Sequence, residues 1–100
     1  MNYKMLLQYD GSRYNGWQKQ GNTRNTIQEK LENILNRLSE NTVEVFGSGR
    51  TDAGTHAWGQ VANFHMNWEG KTIELFLKIN DALPEDIALL SLEKVPPRFH

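Results

Sequence analysis

Apolar spacing along this 100-residue chain switches from two to about 3.6 and back, twice, and that succession limits the fold more than any other feature. Tyr3, Met5, Leu7 and Tyr9 alternate and predict a strand that Asp10-Gly11-Ser12 closes. A long polar loop then runs to Asn25 and holds Tyr14, Gly16, Trp17 and Gly21. Loops of that length in small domains usually carry function or mobility. Thr26-Ile27-Gln28-Glu29 spells a capping box, in which the threonine oxygen and the glutamate each satisfy an orphan backbone N–H. Ile27, Leu31, Ile34, Leu35 and Leu38 follow at helical spacing as one stripe. Thr42 to Phe46 is β-branched and aromatic and predicts a strand, broken by Gly47-Ser48-Gly49. Gln60 to Met66 alternates and predicts the next one. Lys71 to about Asp81 predicts a second helix with Ile73, Phe76, Leu77 and Asn80 on one side, stopped at Leu83-Pro84. Ile87 to Leu92 predicts a last strand, ahead of a stiff Val95-Pro96-Pro97-Arg98 tail. The order β-α-β-β-α-β is that of an α+β ferredoxin-like sandwich, an antiparallel sheet with two helices on one face, in a single domain over residues 1–100.

Composition removes several functions. There is no cysteine, hence no disulfide, no thiolate nucleophile and no zinc–thiolate site. The apolar runs are too short to span a membrane, and residues 1–20 lack a signal peptide's apolar stretch, so a soluble cytoplasmic protein is the default expectation. A net charge of −1 does not announce a nucleic-acid binder. The distribution is more suggestive: residues 1–28 carry Lys4, Arg13, Lys19 and Arg24 against Asp10 as their one acid.

The segment with chemical potential is Gly47-Ser48-Gly49-Arg50-Thr51-Asp52-Ala53-Gly54-Thr55-His56-Ala57-Trp58-Gly59-Gln60. Four glycines in these fourteen residues open backbone conformations closed to other residues and allow close approach. Among them sit a cation, a carboxylate and an imidazole. A loop carboxylate can act as nucleophile or general base, and the guanidinium of Arg50 matches phosphate oxygens. An aspartate in a glycine-rich turn also serves simply to accept backbone N–H bonds, and the residues by themselves leave both readings open.

The string Gly49-Arg50-Thr51-Asp52-Ala53-Gly54, with His56-Ala57 just beyond, resembles the active-site motif of the tRNA pseudouridine synthase A family. The likeness runs the length of the chain. Tyr9-Asp10-Gly11, Tyr14 and Gly16-Trp17-Gln18-Lys19-Gln20 are similar to the family's opening signature. Thr26-Ile27-Gln28 with Leu31-Glu32 resembles its first helix. Gly59-Gln60-Val61-Ala62, Leu83-Pro84 with Asp86-Ile87, and Arg98-Phe99-His100 resemble later landmarks. Thr55 stands where the family usually has valine.

The resemblance implies an isomerase that converts uridines in the anticodon arm of tRNA to pseudouridine, with no cofactor and no metal. It implies Asp52 as the catalytic carboxylate, and Gly49, Thr51, Gly54, His56 and Gln60 as support for its loop. Arg50, Arg13, Tyr14, Trp17, Lys19 and Arg24 are the expected RNA contacts, although Tyr14 and Trp17 are as readily packing residues. His56 reads rather as a turn residue than as an acid or base. Family members are more than twice this long, so the chain reads as an N-terminal, catalytic-loop half whose partner half is missing. By itself it is expected to fold, to self-associate and to be nearly inactive, whereas the whole protein is expected to be a homodimer. One rival is a non-catalytic RNA-binding module of the RRM type, which shares the element order, but Val43-Glu44-Val45-Phe46-Gly47-Ser48 lacks its aromatic signature. Another is a small hydrolase or metal site built on Asp52, His56 and His65, which have no recognisable ligand spacing.

Overall fold

The expected alternation of the first strand holds along its length. In a computed structural model, which describes residues 1–17, 26–48 and 57–97, β1 (Asn2–Tyr9) buries Tyr3, Met5, Leu7 and Tyr9 on one face. A 3-10 turn at Gly11–Arg13 follows, capped by Asp10, whose carboxylate accepts from the backbone N–H of Ser12. Next come α1 (Ile27–Leu38), β2 (Val45–Gly47), β3 (Ala57–His65), α2 (Thr72–Ala82) and β4 (Ile87–Val95). The sheet order is β2-β3-β1-β4, with every neighbouring pair antiparallel. Both helices join one core with Tyr3, Met5, Leu7, Ala62 and Phe64. This is the ferredoxin-like sandwich that the element order predicts.

The start of α1 follows its sequence signal: Thr26 is the N-cap and its hydroxyl accepts from the N–H of Glu29 at 3.2 Å. Ile27, Leu31, Ile34 and Leu35 are buried as expected, Leu38 partly so. The stripe also includes Glu32, only 5% exposed, which apolar periodicity gives no reason to place there.

Three boundaries differ from expectation. β2 starts at Val45, later than the expected Thr42, because the N–H of Val43 goes to Asn36 Oδ1 at 2.7 Å and not to a strand. β3 reaches back to Ala57, which pairs with Tyr9 across an irregularity. β4 runs on to Val95, pairing Glu93 with Lys4, whose side chains also meet at 3.6 Å.

The buried side of α2 is the main correction. Leu75 and Ile79 are fully buried, whereas Ile73 and Leu77 are 58% and 59% exposed, and Phe76 is partly buried. Five of the seven residues from Ile73 to Ile79 are apolar, so two overlapping stripes fit the helical period equally well. Packing chooses the one that points into the core.

On each outer strand, side chains from a helix cap the backbone groups of one residue. At β2, the N–H of Val45 donates to Glu32 Oε2 at 3.0 Å, and Gln28 Nε2 donates to the Val45 carbonyl at 2.9 Å. At β4, Asn80 alone serves Leu89, accepting its N–H at 3.0 Å and donating to its carbonyl at 2.9 Å. Backbone groups of edge strands otherwise invite pairing with another chain. Among the described residues no helix is long and apolar enough to cross a membrane.

Candidate active site

The segment after β1 is bound to the rest of the molecule at several points. Asp10 N–H donates to the Asp86 carbonyl at 2.9 Å. The Asp86 carboxylate accepts from the Tyr14 hydroxyl at 2.7 Å and from Arg13 Nη2 at 2.8 Å and Nε at 3.0 Å. Burial, and then the bond to Asp86, raise the Tyr14 phenol above its ordinary pKa. Asp10, Ser12, Arg13, Glu85 and Asp86 line a shallow open depression here. Gly16 has a φ of 87°, a left-handed turn that a residue with a β-carbon adopts at a cost. That turn lets the Gly16 and Trp17 carbonyls accept from the N–H groups of Ile27 and Gln28, two of the orphan donors at the start of α1.

Trp17 then packs inside. It is 2% exposed and stacks on Tyr9, with ring centroids 6.2 Å apart. Its indole lies so close to Gly47 that a β-carbon there would run into Trp17 Nε1 and Cε2. Ser48 N–H donates to the Val61 carbonyl at 2.8 Å. The end of β2, where the chain enters the Gly49–Gly54 motif, is therefore fixed between β3, α1 and Trp17.

Arg13 lies on the surface, its side chain 72% exposed, with the guanidinium held by Asp86. Tyr14 and Trp17, expected as possible stacking surfaces for bases, are 6% and 2% exposed. Both rings occupy the packing role that the sequence left equally open, and a base cannot stack on them in this conformation. Gln60 is 9% exposed and sits on β3 opposite Leu7. Lys19, Arg24, Gly49, Arg50, Thr51, Asp52, Gly54 and His56 lie outside the described residues. Among the described residues no group of three or more His, Asp or Glu side chains converges in a way that would hold a metal.

Sequence reasoning assigns no bonding role to Asp86 or Glu32, which the structure ties to Tyr14 and Arg13 and to Val45. Asp86 had no local signal beyond its place after Leu83-Pro84. Glu32 had none either: it lies at the margin of the buried stripe and outside its apolar periodicity, and its burial follows from β2 packing against α1.

The sequence matches the model of the family described as tRNA pseudouridine synthase over residues 5–100. The chain belongs to the tRNA pseudouridine synthase family. It is 48% identical over 99 residues to tRNA pseudouridine synthase A of Bacillus sp. (strain KSM-64), covering 99% of this chain and 41% of that protein. It is 45% identical over 101 residues to tRNA pseudouridine synthase A of Ehrlichia chaffeensis, covering all of this chain and 41% of the relative. Against tRNA pseudouridine synthase A 1 of Clostridium tetani it is 44% identical over 99 residues, 99% of the chain and 40% of the relative. The chain thus spans about 40% of the length of the synthases that it matches. The whole glycine-rich motif, from Gly49 to Gly54, falls inside the family match.

Proposed function

We propose that the protein isomerises uridine in the anticodon arm of tRNA to pseudouridine, with Asp52 as the catalytic carboxylate. The single observation that supports this most is family membership over residues 5–100, a span that contains Gly49-Arg50-Thr51-Asp52-Ala53-Gly54 intact. The reaction breaks the bond from ribose C1′ to uracil N1 and forms one from C1′ to C5. The C5 hydrogen leaves as a proton and N1 gains one, so the atoms balance without an oxidant, a reductant or a second substrate. Asp52 holds the reacting unit while the glycosidic bond is broken. Gly49, Thr51, Gly54, His56 and Gln60 support its loop.

The target base is stacked within the arm and has to leave the stack. Arg50 fills or braces the vacated space, and Arg13, Lys19 and Arg24 contact phosphates. In this reading Asp86 orients the exposed Arg13 guanidinium. Tyr14 and Trp17 contribute by holding that surface in place and not by stacking. Residues 1–100 form the catalytic-loop domain, and the additional length of the relatives supplies the opposing side of the cleft. The protein works in the cytoplasm as a homodimer, and the exposed Ile73 and Leu77 offer apolar surface for protein contact.

The test is Asp52→Ala in the full-length protein. Pseudouridine formation, followed by tritium release from C5-labelled tRNA, should fall below detection while tRNA binding persists. Undiminished modification would refute the assignment.

A further inference from the structure

We infer that Gln28 and Glu32 are positioning residues for the reaction at Asp52, acting through β2; the inference rests on the function proposed above. Val45 opens the short outer strand β2, and both of its backbone groups are held from α1, the N–H by Glu32 and the carbonyl by Gln28. The two side chains, one helical turn apart, also meet each other, Gln28 Nε2 lying 3.3 Å from Glu32 Oε2. Two residues beyond Val45, Gly47 is pressed against the Trp17 indole. Ser48 is tied to Val61, and four residues further along the sequence comes Asp52.

A helix can hold a strand by burying apolar side chains alone. Here it buries a carboxylate, 5% exposed, at a cost in hydration. What the carboxylate adds is direction. A hydrogen bond fixes distance and angle where apolar contact leaves both loose, and an ionised acceptor strengthens it. The clamp therefore sets the register of β2 against α1 at the entrance to the motif. The opposite edge of the sheet covers the same two backbone groups of Leu89 with one neutral amide, Asn80. Covering an edge thus does not require a buried charge.

The experiment uses the full-length protein and compares Glu32→Ala, Glu32→Gln, Gln28→Ala and Asn80→Ala. Urea stability, the tRNA dissociation constant and the single-turnover rate of pseudouridine formation are measured under conditions where each variant is folded. Glu32→Ala should slow the single-turnover rate about 10- to 100-fold, the scale of a misplaced reacting group. Binding of tRNA should stay within about twofold. Glu32→Gln keeps an acceptor oxygen for Val45 and should recover most of the rate. Asn80→Ala should lose stability and keep the rate. If Glu32→Ala and Asn80→Ala have equal rates once folded, the clamp is structural only and the inference fails. Should Glu32→Ala not fold, Gln28→Ala leaves the carboxylate in place and carries the test: a several-fold slower rate supports the clamp, and an unchanged rate overturns it. A wild-type protein that forms no pseudouridine overturns the proposed function and, with it, this inference.

Discussion

The two edges of the sheet meet one physical problem in different ways. At each, a buried residue of an outer strand turns its N–H and C=O away from the sheet, Val45 on β2 and Leu89 on β4. At β4 a single neutral amide answers both groups. At β2 the task is divided between an amide and a carboxylate, on a strand of three residues that leads into the family's motif. The β4 solution shows what coverage alone needs. The extra charge and the extra residue at β2 mark the edge where orientation matters as well.

The largest expected effect lies at the simpler edge. Asn80→Ala strands two backbone groups at once and should cost about 2–4 kcal/mol in urea denaturation, a sum of two unsatisfied buried groups. Gln28→Ala strands one carbonyl, that of the buried Val45, and should cost about 1–2 kcal/mol, the scale of a single unsatisfied buried group. Equal losses would break the contrast between a shared and an undivided cap.

The next effect tests how tightly the β2 end is held. Gly47→Ala drives a β-carbon into the buried Trp17 indole, which cannot swing aside as a flexible chain end would. It should cost about 1–3 kcal/mol, the range for overpacking. Gly59→Ala on β3 meets only Leu6 Cδ1 at 3.7 Å, an ordinary contact, and should change stability by no more than about 0.5 kcal/mol in thermal melts. A benign Gly47→Ala would mean that Trp17 is not the wall it is argued to be.

Much of this architecture was legible because period and capping are local. Alternation from Tyr3 to Tyr9, the threonine cap at Thr26 and the stripe from Ile27 to Leu35 depend on neighbours within a few positions, and each formed as read. The face of α2 was not, because its apolar residues fit two stripes and only the sheet beneath selects Leu75 and Ile79. The strand at Thr42 was lost to a side chain, Asn36, that no strand rule weighs. The candidate site divides in the same way. The motif around Asp52 reads from the string itself. The residues that frame its entrance, Trp17, Gln28 and Glu32, and Asp86 beneath the segment after β1, acquire their contacts from elements distant in sequence. Asp86 meets Tyr14 and Arg13 more than seventy positions away.

The last contact to test ties the start of β4 to the segment that carries Trp17. Tyr14→Phe keeps the buried ring and removes only the bond to Asp86, so the loss near neutral pH should be about 1 kcal/mol. Its pH dependence gives the sharper reading. The phenol is raised above its ordinary value of 10.0 in the folded protein, first by burial and then by Asp86. The folded state therefore keeps the proton to higher pH than the unfolded chain does. Stability from this group is fully present below pH 10 and is lost as pH rises beyond it, because the unfolded chain then releases a proton that the native state retains. Tyr3 is also raised by burial, but it is common to both proteins and cancels in their difference. Urea midpoints measured from pH 7 to about pH 11 should show the wild-type advantage over Tyr14→Phe shrinking above pH 10. A constant difference would mean that the hydroxyl ionises alike in both states and that Asp86 does not hold it. The link between β4 and the front segment would then rest on Arg13 and the Asp10 backbone alone.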